Sequence, residues 1–307
     1  MTWLILVLLS TILYCINIFI DNFNSDCYFK GRDSVSQKLF YGWGWLAIVV
    51  PFVCFFWNDY AQTDFWPLLI LVGAGLMHGL AGVPYFKALE IDDSTNLGIF
   101  IQLAPVLYLV LGWAFLGETF SPLQLVAIAT ILLAPIIIIL TTRKRSRQVR
   151  MKAVVYSVVY VAIAVVANMI FVKVDAGNLD IIPKIVMVFL GKGIANLIVA
   201  YSRPKYRKRF KYVAKTTHGK VYFSLTINLI FGMIKELLYR AGLIMAPAVA
   251  LASAASDSVT PVVTFFMGIV LTLIWPKFGR EKLNRKSVLV HLLATVLVVI
   301  GIVLLQF

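Results

Sequence analysis

A chain of 307 residues that is 61% apolar, only 14% charged and has a mean hydropathy of +0.91 lies far from the composition of a water-soluble domain. Its net charge of +14 would suit a nucleic-acid binder, but the cations sit in short stretches between apolar runs, which argues against a basic binding face. No polar stretch is longer than Ser202–His218, so no extramembrane domain is expected.

In chain order, the apolar runs fall at 2–20, 39–57, 66–86, 96–116, 122–141, 153–172, 181–201, 219–239, about 247–275 and 288–306, about ten in all. Most approach the ~20 residues a helix needs to cross a hydrocarbon layer of ~30 Å. In lipid only helices and closed barrels satisfy their own backbone, and unbroken runs of this length predict helices. The first run has no basic residue before it and ends at Asp21 without a small-residue cleavage site, so it reads as a retained helix and not as a signal peptide. The ninth, from Leu243 to Trp275, is long for one untilted crossing and is expected to hold either a loop or an additional span.

The cations alternate from one connection to the next. Lys30, Arg32 and Lys38 follow the first run, Lys87 ends the third, and six cations from Arg143 to Lys152 separate the fifth from the sixth. Eight, from Arg203 to Lys220, follow the seventh, and five, from Lys277 to Lys286, follow the ninth. The intervening connections hold only Lys173, Lys184 and Arg240. This is the positive-inside pattern. It places the basic connections in the cytoplasm and, with ten spans, both termini outside a cell (inner or plasma) membrane. Cys15, Cys27 and Cys54 form neither a CxxC pair nor an even framework, so no disulfide, metal or cofactor is expected.

The second half of the chain repeats the first. An offset of 151 places Asn17 on Asn168, and later Tyr85 pairs with Tyr239, while Gln102 to Pro105 pairs with Ser258 to Pro261. The closing segments match as well, Phe115 to Glu118 against Phe278 to Glu281, each before an apolar helix. Five spans per half is an odd number, which forces the second half into the membrane upside down relative to the first. The fold class that follows is an all-α integral membrane protein, about ten transmembrane helices arranged as two inverted five-helix repeats. Residues 1–142 and 152–307 are the repeats, and 143–151 is a basic loop between them.

The run from Tyr85, Phe86, Lys87, Ala88 and Leu89 through Pro105, Gly112 and the Phe115–Glu118 turn to Ile139 resembles the EamA-type ten-helix carriers of the drug/metabolite transporter superfamily. A weaker copy runs from Tyr239 through Pro261 to Ile302. The resemblance implies a substrate cavity between the halves, walled mainly by runs one, three, four, six, eight and nine. Two features depart from it. Arg280 is inserted in the second Gly/Glu turn, and relatives in this group tend to keep both termini in the cytoplasm, opposite to what the loop charges indicate.

Polar and ionisable side chains at bilayer depth cost a few kcal/mol each unless they face a cavity or a partner. Those in the runs are Asn17, His78 and Gln102 in the first half and Asn168, Lys192, Asn196, Asn228, Lys235, Glu236 and Asp257 in the second. With Tyr85, Pro105, Tyr239, Ser258 and Pro261 from the repeated motifs, the cavity candidates are Asn17, Tyr85, Gln102, Pro105, Asn168, Lys235, Tyr239, Asp257, Ser258 and Pro261. Lys192 and Asn196 share a helix face, but on a run that the resemblance places at the periphery. A purely structural account, amides bonding between helices and lysines snorkelling to an interface, fits the same residues. Pro105 and Pro261 each remove a helix hydrogen bond and are candidate flexible points, or kinks tolerated for packing. Gly75 and Gly79, four apart, permit close helix approach, and Glu118 reads as a helix-end cap.

The function these features imply is secondary transport of a small metabolite or drug-like solute by alternating access, not catalysis. Expected partners are that solute, a proton or other cation where transport is coupled, and the lipid bilayer, with a monomer or homodimer as working unit. The alternatives are an intramembrane enzyme, which would need a convergent reactive set that the sequence does not display, and a non-transporting lipid-flippase accessory or sensor.

Overall fold

The computed structural model describes residues 2–29, 33–91, 104–142, 151–177, 179–274 and 285–304. Among the described residues the chain is helical and has no strand. In order, the helices are α1 (Thr2–Phe23, continued by a π turn, Asn24–Tyr28), α2 (Lys38–Phe55), α3 (Trp57–Ala61), α4 (Phe65–Ile91) and α5 (Ala104–Leu111, with a π turn at Gly112–Leu116). Then come α6 (Pro122–Thr142), α7 (Met151–Lys173), α8 (Ile181–Ser202), α9 (Pro204–Thr216), α10 (Lys220–Met245), α11 (Val249–Ile274) and α12 (Arg285–Leu304). Seven of them, α1, α2, α4, α7, α8, α10 and α11, are long and apolar enough to cross a membrane. Helices α5, α6 and α12 lie in the described parts of the three remaining apolar runs.

Local sequence accounts for several boundaries. Ser121 and Gln124 form a reciprocal capping box at the head of α6, Gln124 N–H to Ser121 Oγ at 3.1 Å and Ser121 N–H to Gln124 Oε1 at 3.0 Å, with Pro122 as the first helical residue. The long stretch after Leu243 divides between two helices. Helix α10 ends at Met245 and α11 runs as a single helix from Val249, so the extra length is a turn at 246–248 and a 26-residue helix. That helix continues through Pro261.

The segment Ser202–His218, read above as a basic loop, is mostly helix α9. Arg203 is extended, Pro204 starts the helix, and one face is buried: Phe210 and Val213 pack with Phe29, Val221 and Leu225, and Tyr206 joins the cluster that contains Val35, Phe86 and Val199. Its lysines, Lys205, Lys208, Lys211 and Lys215, are exposed.

Contacts between helices pair off when the halves are exchanged. Helix α1 packs on α10 and α11 as α7 packs on α4 and α5, while α2 on α8 and α6 on α12 are their own exchange mates. Helix α1 runs antiparallel to α10, Asn17 beside Asn228 and Ser10 beside Lys235, and parallel to α11, Thr11 beside Ser256 and Cys15 beside Thr260. Helices α4 and α8 approach closely because Gly75, Gly79 and Gly191 lack side chains there; a methyl on Gly75 would overlap the Val188 carbonyl, and one on Gly191 the Val72 carbonyl.

The connections after α1 and α8 gather with the last turn of α4 at one end of the bundle. Lys205 Nζ pairs with Asp33 Oδ1 at 2.9 Å, Arg209 donates to the Phe29 carbonyl at 2.7 Å, and the Ser34 N–H donates to Glu90 Oε1 at 2.5 Å. The Asp33 bond holds the Lys205 ammonium above its ordinary pKa.

Candidate functional site

Two polar cavities lie between the halves. The first, of about 150 Å³, is bounded by α1, α2, α4, α7, α8 and α10; the second, of about 80 Å³, by α1, α4, α5, α7, α10 and α11. The walls of the second are the six runs that the resemblance implies. Helices α2 and α8 take part only in the first. The cavities share Tyr14, His78, Tyr160, Lys235 and Glu236.

Glu236 stands where they meet, and its side chain is 4% exposed. Its Oε1 takes Lys192 Nζ at 3.0 Å, Lys235 Nζ at 3.1 Å and His78 Nε2 at 3.1 Å, and its Oε2 lies 3.4 Å from Arg240 Nε. Aromatic faces carry part of the same charge: Trp45 under Lys192 and Tyr14 under Lys235, both 4.7 Å from ammonium to ring centroid, and Phe171 beside Arg240 at 4.8 Å. Cation faces and one carboxylate thus gather α1, α2, α4, α7, α8 and α10 around a single point.

A second polar group sits nearer the end that carries α9. Asp21 Oδ1 accepts the Asn228 amide at 2.7 Å and the Tyr41 hydroxyl at 3.4 Å, and Oδ2 accepts the Tyr85 hydroxyl at 3.5 Å. Lys38, at the first turn of α2, is 4% exposed and donates to the Gly79 carbonyl at 2.8 Å and to Asn196 Oδ1 at 2.7 Å. Gly82 leaves the room its ammonium occupies.

The sequence candidates divide among these groups. Asn17 lines the first cavity and donates to the Asn228 carbonyl at 2.8 Å and, in a short contact, to Asn228 Oδ1. Asn168 lines the second and donates to the Tyr108 hydroxyl at 2.6 Å. Tyr85 and Lys235 face the first cavity, and Lys235, Tyr239 and Asp257 the second, where Ser253 Oγ donates to Asp257 Oδ2 at 2.8 Å. Pro105 is buried in the first turn of α5 as described. Ser258 and Pro261 lie on α11, their side chains outside the described residues, and Gln102 is outside them altogether.

Three placements differ from the sequence reading. Lys38 belongs to the cavity and not to a cytoplasmic loop, because its helix starts at that residue and its side chain turns inward. Arg240, counted at the outer rim, is fully buried beside Glu236, since α10 continues five residues beyond it. Helix α8 is central and not peripheral: its Lys192 and Asn196 both reach the first cavity, as their i, i+4 spacing requires.

Glu118 lies apart, in the turn after α5. Gly117 adopts φ +68°, and the Glu118 carboxylate accepts the Val249 N–H, the first of α11, at 2.6 Å. Burial pushes its pKa up, against the opposing pull of the Val249 and Ala250 N–H groups. It caps a helix of the other half.

Residues 1–141 match the family model of the EamA-like transporters, consistent with the drug/metabolite transporter superfamily. The family match and the apolar helices support an integral membrane transporter. A solved crystal structure of a protein is 14% identical over 97% of this chain and 98% of its own, with a TM-score of 0.57, a likeness of fold. It is among 19 solved chains that match. No curated protein matches the sequence.

Proposed function

From a chain that is EamA-like over residues 1–141, we propose a secondary transporter that carries a small solute through the paired cavities by alternating access. Residues 1–142 and 152–307 are the two moving halves, ten spans in all, and 143–151 is the cytoplasmic tether, which leaves both termini outside the cell membrane. The observation that carries this reading is the charge cluster on Glu236, which draws on side chains from both 1–142 and 152–307 at the depth of the membrane-spanning helices. Charged groups at that depth are expensive and are kept for function. The exchange pattern of helix contacts supplies the second requirement. Two halves of inverted topology can trade conformations, so states open to either side can lie within a few kcal/mol of one another.

The substrate-facing residues in this reading are Asn17, Tyr85, Lys235 and Asp257, with Lys192 and Glu236 added from the structure. A cavity of about 150 Å³ is smaller than the ~300–1,000 Å³ of drug-sized sites, which favours a small metabolite. Uptake into proteoliposomes tests the proposal. Wild-type protein is expected to give saturable accumulation of a solute, and Lys192→Gln or Glu236→Gln to lower it at least tenfold at equal amounts of folded protein. Flux that rises linearly with solute would identify a channel, and full activity in both variants would remove the cluster from the site.

A further inference from the structure

The geometry points to a small oxyanion, a carboxylate or phosphate group, as the chemical class that the first cavity binds, with Glu236 as an internal counter-ion that holds the site until the solute arrives. This rests on the carrier reading above for its function as a substrate site, but the charge argument stands on the cavity alone.

Around the first cavity the formal charges are Lys38, Lys192, Lys235 and, behind Glu236, Arg240, against Asp21 and Glu236. Four cations face two carboxylates. Asp257, in the second cavity, reduces the surplus to one over both cavities. His78 adds a further nitrogen at hydrogen-bond distance from Glu236 and is left out of this count.

The distribution matters more than the total. One oxygen of Glu236 receives three donors, beyond what its lone pairs accommodate at full strength. Among the described residues Arg240 has no hydrogen-bond partner for its guanidinium nitrogens, although it is fully buried. Asp21 is occupied by an amide and two hydroxyls, and among the described residues Lys38 has only two neutral oxygens as acceptors, with its ammonium over the Phe86 ring, 5.8 Å from the centroid. Buried cations sharing too few acceptors are costly, because desolvation is only partly offset by weak or shared bonds. An oxyanion between Lys38 and Lys192 supplies the missing acceptors. A cationic solute would add to the surplus, and a neutral one would leave it unrelieved.

The counter-ion role predicts an effect of opposite sign to that of a substrate ligand. If Glu236 occupies cations that the solute needs, its removal strengthens anion binding; if it held a cationic solute, its removal would abolish binding.

The experiment uses the purified full chain in detergent, with sodium phosphate and sodium acetate as anionic probes. Choline chloride is the cationic probe and glycerol the neutral one, all at one ionic strength against sodium chloride. A ligand of the folded state raises the apparent Tm. The expected result is a rise with phosphate or acetate, reduced in Lys38→Gln and Lys192→Gln, retained in Lys38→Arg, and reached at roughly tenfold lower probe in Glu236→Gln. Should Glu236→Gln fail to fold, the Lys38→Gln and Lys38→Arg pair decides. The inference is overturned by stabilisation with choline alone, by no shift with either anion, by an anion shift unaltered in both lysine variants, or by weaker anion binding in Glu236→Gln. Uptake by proteoliposomes separates the two claims. Saturable uptake of choline or glycerol without anion binding removes the anion site and keeps the carrier, whereas anion binding with no solute moved removes the carrier and keeps the site.

Discussion

Two interfaces between the halves exchange with one another under the duplication, α4 on α8 and α10 on α2, and they are built differently. Along α4 and α8, Gly75, Gly79 and Gly191 let the backbones touch, leaving no room for a side chain. Between α2 and α10 the contacts are side chains, Tyr41 with Asn228 at 2.7 Å and Leu229 over Gly44, and the first cavity opens beside them. Duplication decides which helices meet, but the residues at each meeting decide whether it is locked or wet. A carrier of this plan should move at the second interface and keep the first.

The strongest way to break that contrast is to place a bulky side chain on each. Gly75→Leu or Gly191→Leu pushes against backbone, which cannot yield by rotamer change, and should cost at least ~3 kcal/mol, the upper end for overpacking, read as loss of folded protein in the membrane. At Gly44 the atoms nearest an added Cβ belong to the Leu229 side chain, which can yield by rotamer change, so Gly44→Leu should cost about 1 kcal/mol by thermal unfolding. Equal losses would mean that the two interfaces are mechanically alike.

A covalent link sharpens the same point without changing the core. With Cys15, Cys27 and Cys54 replaced, a Gly44→Cys, Leu229→Cys pair joins α2 to α10. Oxidation is expected to block uptake and reduction to restore it, with Tm unchanged or raised. Undiminished uptake in the oxidised protein would place the motion elsewhere.

The amides test the cavity side of the comparison at smaller scale. Asn17→Ala takes the Asn17 donor from the Asn228 carbonyl and side chain, and Asn168→Ala takes one of two donors from the Tyr108 hydroxyl, which Tyr239 also bonds. Each should cost about 1–2 kcal/mol where the abandoned group stays buried. Uptake is expected to fall further than folded protein does in both, and a fall in step would make the amides packing groups.

How much of this was readable beforehand follows from the range of the interactions involved. The described part of each apolar run lies mostly on helix because crossing length and hydropathy are properties of consecutive residues. The apolar face of α9 was present in the sequence as Tyr206, Phe210 and Val213, at i, i+4 and i+7, but lay under a run of cations read as topology. Lys38 carried no signal at all, since a lysine at a helix start looks the same whether it turns outward or in. Lys192, Lys235, Glu236 and His78 could each be picked out as polar residues in apolar runs. That they converge depends on the packing of α4, α8 and α10, which no local pattern encodes.

The smallest effect belongs to the strap at the basic end, where α9 crosses from α8 to α10 and touches the start of α2. Three contacts hold it there, the buried Tyr206, Phe210 and Val213 face, the Arg209 bond to the Phe29 carbonyl and the exposed pair of Lys205 with Asp33. The Lys205 side chain is 54% exposed, so water and salt screen the pair, and such contacts contribute about 0–1 kcal/mol. Lys205→Ala should therefore shift Tm little, the shift should vanish at high salt, and uptake should stay at the wild-type level because the apolar face keeps α9 seated. A large, salt-dependent loss of uptake in Lys205→Ala would show that charge at this end, and not the glycine contact of α4 with α8, sets how far α2 and α10 can part.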